Sequence, residues 1–265
     1  MLRRLGLCLM LFGAGFPSPS QPPSQPLGED FPEDGEFHFL RLEYQDAPEF
    51  RRPFGRRRLP DGTPAGWWAQ DWPEAEMHFR QGIARLTRIA VGGNRHTHLR
   101  DDRIFEYPWI YATQVGWWDL SDAETRRLGQ YLERGGFLMV DDFFGRDWQG
   151  FRAAMERTLP GAFIEDLPDE DPVMSIVFPI RERVFIPGLR HLRNRAPDGT
   201  VLEPTGQGPQ WRGMRDKKGR LVVAIHFNQD VGDAWEHADW VEYPENMTSL
   251  AYRFGINHIV YAMTH

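Results

Sequence analysis

The sequence predicts an α/β protein built on an open parallel sheet with helices on both faces, and three observations predict it. Strand-like and helix-like segments alternate along most of the chain in the order strand, helix, strand, strand, helix, strand, helix, strand. One segment, FLMV at Phe137 to Val140, is apolar without alternation, as expected of a strand covered on both faces. That segment runs directly into two carboxylates, Asp141 and Asp142, at the strand end where sheets of this kind hold their ligands.

Each element has its own justification. Phe37 to Tyr44 (FHFLRLEY) has the apolar content and alternation of a first strand. A long irregular stretch follows to about Trp72, carrying Arg51, Arg52, Arg56, Arg57 and Arg58 and then Trp67 and Trp68. Pro73 with Glu74 and Glu76 starts a helix, since proline is tolerated in the first turn and acids favour the positive end of the dipole. Phe79, Ile83 and Leu86 give it a helical stripe, and Gly92-Gly93 its expected end. A short strand is expected around Thr97 to Arg100 and a stronger one at Tyr107 to Thr113 (YPWIYAT). Ser121 and Glu124 form a capping box ahead of Leu128, Tyr131 and Leu132, with Gly135 closing that helix. Phe151, Met155 and Leu159 mark the next helix, stopped by Pro160, and Ala162 to Asp166 reads as a fifth strand. Gly213 to Lys218 separates Gln210-Trp211 from Leu221 to Asn228, which predicts a hairpin with a polar DKKG turn. Asn228 to Gly232 then reads as a loop, and Met247 to Met263 as a terminal amphipathic helix. A flavodoxin-like strand order puts the first strand beside Tyr107 to Thr113, and the latter beside FLMV.

Composition bounds the function. The 265 residues hold one α/β domain of ordinary size or two small ones. A formal charge of −7 argues against a general nucleic-acid or anionic-membrane binder, which carries a basic excess. Residues 1–15 have the form of an export signal, with Arg3 and Arg4, an apolar core from Leu5 to Phe12 and the small residues Gly13 to Gly15. The run is too short for an ordinary spanning helix, so the mature chain is expected to lack a transmembrane span and to be periplasmic or extracellular. Residues 16–36 read as a linker, extended over PSPSQPPSQP and then acidic, and the folded domain is expected over 37–265. The only cysteine, Cys8, lies inside the signal, and Leu7 before it argues against lipidation. Disulfides, thiolate metal sites and a thiol nucleophile are thereby excluded from the mature chain.

Adjacent strand residues point to opposite faces, so Asp141 and Asp142 serve one ligand only where the strand has already turned into loop. Otherwise one caps the following turn and the other is solvated. His96 and His98 share one strand face near Asp101 and Asp102, but zinc needs a third ligand, which His226 or His237 would have to bring. A solvated histidine face is the expectation, and no metal, cofactor or catalytic residue is assigned. Arg51 to Arg58 and Trp67-Trp68 lie above the same sheet edge, offering forked donors and a stacking plate, or else a loop that buries its tryptophans and solvates its arginines. An arginine of this cluster reaching the two aspartates would lower their pKa values.

Taken in order, YPWIYAT, LSDAE, YLERGGFLMVDDFFG, NQDVGDAW and GINHIVYAM resemble the bacterial domain of unknown function 4159 family, over Phe37 to His265. That family is classed with the class I glutamine amidotransferase-like folds, so the resemblance implies a flavodoxin-like sheet. The superfamily places a cysteine on a tight turn after a central strand, with a downstream histidine and glutamate. The corresponding turn here is Thr113-Gln114-Val115-Gly116, which carries no thiol. A G-x-S-x-G elbow is also missing, and Ser121, Ser175 and Ser249 have better local explanations or no histidine-bearing context. Thiol-type glutaminase activity is not expected. Asn228, Asp230 and Trp235 match the family pattern, although a tight polar turn explains the first two equally well. The expected ligand-binding residues are thus Asp141, Asp142, Gln114, Asn228, Asp230 and Trp235. Two function classes follow: an exported, non-catalytic amidotransferase-like domain binding a small ligand or an envelope protein, or a carboxylate- or metal-dependent hydrolase acting on an envelope substrate.

Overall fold

A computed structural model describes residues 34–51 and 57–265. The expected signal, nearly all of the expected linker, and Arg52 and Arg56 lie outside the described residues. The elements are β1 (Phe37–Glu43), β2 (Arg57–Arg58), β3 (Pro64–Ala65), α1 (Glu74–Leu86), β4 (Val91–His98), β5 (Trp109–Thr113), α2 (Asp122–Glu133), β6 (Phe137–Asp141), α3 (Trp148–Thr158), β7 (Ile164–Asp166), β8 (Gln210–Arg215), β9 (Leu221–Phe227), α4 (Val231–Glu236) and α5 (Glu245–Thr264).

Seven strands form one sheet in the order β4-β1-β5-β6-β9-β8-β7, and β2 pairs with β3 in a small antiparallel ribbon. The run β4-β1-β5-β6-β9 is parallel, while β8 is antiparallel to β9 and β7 to β8. The chain therefore leaves β1 outward to β4, then returns across β1 to lay down β5, β6 and β9 on the other side. Successive connections diverge at the carboxyl ends of β1 and β5, and that divergence opens a crevice there.

Strand alternation sorts the core into two layers. Phe37, Phe39, Trp109, Tyr111, Phe137 and Met139 face one way and pack with Phe79 and Ile83 of α1, Trp235 of α4 and Ile259 of α5. Leu40, Leu42, Ile110, Ala112, Leu138 and Val140 face the other way, against Leu128 and Leu132 of α2 and Phe151 and Met155 of α3. Both faces of β5 and β6 are buried, which is why FLMV shows no polar alternation. The capping box is present: Glu124 N–H donates to Ser121 Oγ at 3.3 Å, and Ser121 N–H donates to Glu124 Oε2 at 2.9 Å.

Four expectations are corrected. Helix α1 ends at Leu86, and Gly92-Gly93 belongs to β4, which begins at Val91 rather than near Thr97. Gly92 is needed there because a Cβ would come within 2.2 Å of the His38 ring. The strand at Ile164–Asp166 is an antiparallel edge strand on β8, not a further parallel one. The hairpin is no appendage: β8 runs on to Arg215, and β9 is itself the fifth parallel strand beside β6. Finally, the stretch after Asn228 does not stay a loop, because Val231–Glu236 forms the short helix α4 with Asp230 as its N-cap.

Candidate ligand site at the carboxyl edge of the sheet

Asp141 ends β6 on the face that meets α4. Its carboxylate is fully buried and accepts from Tyr111 OH and from the backbone N–H groups of Val231 (2.7 Å) and Gly232 (2.8 Å). Helix α4 can sit this close because residue 232 has no side chain: a Cβ would stand 2.7 Å from the Tyr111 hydroxyl and 3.1 Å from Asp71 Oδ2. Burial pushes the Asp141 pKa up to about 6, against the pull of the hydrogen bonds from Tyr111 and Gly232. Asp141 is thus a clamp between the sheet and α4.

Asp142 would point to the opposite face if the strand continued. Instead its backbone is left-handed (φ 49°), its N–H donates to Gln229 O at 2.9 Å, and its side chain swings over the sheet edge to accept from Gln114 Nε2. Gln114 is left-handed as well (φ 53°) and follows β5 directly. Among the described residues, the non-glycine residues with positive φ are Asp71, Gln114, Asp142 and Asn228. Three of the four belong to this acidic edge, and backbone strain of this kind concentrates at functional sites. Asp230, reached from β9, accepts from Asp233 N–H at 3.0 Å to cap α4 and lines the same crevice as Asp142.

The crevice encloses about 520 Å³ and is lined by Gln114, Asp142, Asp230, Asp233, Glu236, His237, Trp67, Gln70, Leu189 and Arg190. Asp71 adds a carboxylate below it, with Oδ1 accepting from Gln70 Nε2 at 2.5 Å. Burial drives Asp71, Asp142 and Asp230 well above the usual carboxylate range, and each is pushed further by neighbouring acids, chiefly Asp233, Asp141 and Asp142 respectively. Positive charge is sparse. Arg190, 59% exposed, stands 3.6 Å from Asp142 Oδ1, and the buried Arg41 is engaged by Glu76.

The sequence-predicted residues separate into two groups. Gln114, Asp142 and Asp230 line the crevice, with Asp141 directly beneath. Asn228 is a brace: its Oδ1 accepts from Gly145 N–H at 3.0 Å and its Nδ2 donates to Gly208 O at 3.1 Å. Trp235 is fully buried and stacks on Phe79 with ring centroids 4.1 Å apart. His96 and His98 both meet Glu43, at 2.6 and 3.0 Å, whereas His226 sits four strands away beside His258 and His237 lines the crevice. Neither Arg51, bound to Asp46 O, nor Arg58, bound to Gly62 O, serves the acids; Arg190 takes that position. Asp71, Asp233, Glu236 and Arg190 escaped sequence reasoning. Only Asp233 had a local signal, its spacing of three from the capping Asp230.

Fold and site together define an α/β protein with a mostly parallel sheet and an acid-lined crevice at its carboxyl edge. The family model for a domain of unknown function (DUF4159) matches residues 58–263, and the chain belongs to that family. A comparison with curated proteins finds no match. No helix among the described residues is long and apolar enough to cross a membrane.

Proposed function

We propose that this chain is an exported, non-catalytic domain of the flavodoxin-like, amidotransferase-like type, whose crevice binds a positively charged small ligand or a cationic side chain of an envelope partner. The reading rests on Gln114. It occupies the left-handed turn after the central strand β5, where an amidotransferase-like site holds its thiol, and it presents an amide bonded to Asp142 instead of a nucleophile. The parallel strands, numbered among themselves, run 2-1-3-4-5, the flavodoxin-like order. An excess of carboxylates over cations in the lining selects for positive charge.

Ligand-observed NMR on the full chain, with guanidinium and ammonium compounds and with carboxylates of matched size, tests this. The cations are expected to bind and the anions not. Asp142→Asn and Asp230→Asn should each weaken binding about tenfold, the scale of one hydrogen bond to a charged group, without changing the fold. Equal binding of cations and anions, or hydrolysis of glutamine by the purified chain, would overturn the reading.

A carboxylate-dependent hydrolase is the second reading, favoured by the placing of Asp142 and Asp230 in one crevice. Both carboxyls are buried, and burial together with neighbouring acids raises each well above the usual carboxylate range, an arrangement suited to acid–base work. It requires turnover of an ester, amide or glycoside that vanishes in both variants.

A further inference from the structure

We infer that the floor of this crevice is a site for one divalent hard cation, held by carboxylate oxygens of Asp71, Asp230 and Asp233. The inference rests on the crevice being the ligand site and names an inorganic occupant for its inner end. The three residues come from two separate places: Asp71 from the turn before α1, and Asp230 and Asp233 from the N-cap and first turn of α4. They nevertheless converge so that one oxygen from each lies within 4.8 Å of the others, and all three are buried. Oxygens at opposite vertices around a calcium ion are separated by about twice its 2.3–2.6 Å bond length, and those around magnesium by less, so the spacing accommodates either ion. An all-oxygen donor set suits calcium, magnesium or manganese rather than a softer metal.

Acidic clusters are common, and one further observation sets this one apart. Asp71 is wholly buried, yet its Oδ2 has no hydrogen-bond partner, and the buried guanidinium of Arg41 is bound to Glu76. Asp142, outside the trio but lining the same crevice, differs: its Oδ1 faces the Arg190 guanidinium at 3.6 Å. A buried carboxylate oxygen left without a donor or a cation carries its full desolvation penalty, which a bound cation would offset. Meanwhile the donors nearby are already directed to one oxygen of each acid. Gln70 serves Asp71 Oδ1, Gln114 serves Asp142 Oδ2, Asp233 N–H serves Asp230 Oδ1, and Leu189 N–H serves Asp233 Oδ2 at 2.6 Å. Such donors orient each carboxylate while leaving its other oxygen for a ligand, as supporting contacts around metal ligands do. The crevice above the trio gives room for the water that completes a hard cation's coordination.

The test is calorimetric titration of the chelator-treated full chain with Ca²⁺, Mg²⁺ and Mn²⁺ separately. At least one is expected to bind with a stoichiometry of one per chain and to raise the thermal midpoint. Asp71→Asn and Asp230→Asn should each lower the affinity about tenfold or more, whereas Asp169→Asn, which removes an exposed partner of Arg183, should not. Should the site variants fail to fold, Mn²⁺ broadening on the unaltered chain decides. The side-chain amide of Gln70 should be lost from the NMR spectrum, and the backbone amide of Gly219, at the far end of β9, retained. No binding by the unaltered chain, affinity unchanged in both folded variants, or broadening that spares Gln70 overturns the proposal. Failure of the metal with retained binding of guanidinium or ammonium compounds leaves the crevice reading standing; failure of both removes it too.

Discussion

Arg41 carries more of the site's architecture than its place in an apolar strand suggests. It is fully buried, with Nε donating to Glu76 Oε1 at 2.6 Å, Nη1 donating to the carbonyls of Trp68 (3.2 Å) and Gln70 (3.0 Å), and its guanidinium 4.6 Å from the centre of the Tyr111 ring. One side chain thus fastens α1 to β1 and holds the segment that delivers Gln70 and Asp71 to the crevice. Removing one member of a buried pair leaves a lone charge, so Arg41→Met and Glu76→Met alone are each expected to destabilise the fold by about 3–5 kcal/mol. Arg41→Met combined with Glu76→Met strands no charge and should cost clearly less than the two single variants added together. Urea unfolding of the three variants measures this, and strict additivity would show that the pair is not coupled. Alternation along FHFLRLE puts Arg41 on the Phe37 and Phe39 face, which was legible. Its partner, 35 residues away, had no local signature.

At the scale of elements, legibility followed the length and regularity of the local pattern. Helix α2 was readable because a capping box and an apolar stripe agree, and α5 because its stripe runs through most of a 20-residue helix. Helix α4 was not, since six residues are too few for periodicity and the Asp that caps it is equally a residue of a polar turn. Strand β4 was misplaced because its two glycines look like a helix stop until the His38 ring is seen against one of them. The site shows the same division: Asp141, Asp142 and Gln114 were found by a rule about strand ends, while Arg190 arrives on an irregular segment with no periodicity to read. The packing of α5 on β6 and β9 makes a prediction of its own. His226 of β9 and His258 of α5 lie with ring centroids 5.1 Å apart, both buried, and burial lowers His258 to about 3 and His226 well below its ordinary value. The folded chain keeps both neutral, whereas the unfolded chain protonates them below about pH 6.5. Their contribution to stability is therefore present above that pH and lost as pH falls toward 3, by an amount on the order of 5 kcal/mol for His258 alone. Thermal midpoints measured from pH 7 to 4 should fall steeply in the unaltered chain and less so in His258→Leu; parallel curves would remove histidine as the cause.

For the whole molecule, the decisive feature is that two helix layers share one set of strands. Trp109 and Tyr111 serve the layer of α1, α4 and α5, while Ile110 and Ala112, interleaved with them on β5, serve the layer of α2 and α3. Stripping either layer would expose one complete apolar face of β5 and β6 to water, so neither layer can persist without the other. The crevice is built from the same shared strands, since β5 leads directly into Gln114 and β6 ends at Asp141, and it should therefore be lost with them. Ile259→Ala on α5 and Leu128→Ala on α2 remove buried side chains from opposite sides of the sheet. Each is expected to cost about 2–5 kcal/mol. With no shared contact between them, the double variant should equal their sum within about 0.5 kcal/mol. Because each loss is felt by one cooperative unit, tryptophan fluorescence and far-ultraviolet circular dichroism should report a single coincident urea transition in all variants, shifted in midpoint but unchanged in slope. Two separable transitions, with Leu128→Ala moving one and Ile259→Ala the other, would mean that the layers unfold independently and that the sheet does not couple them.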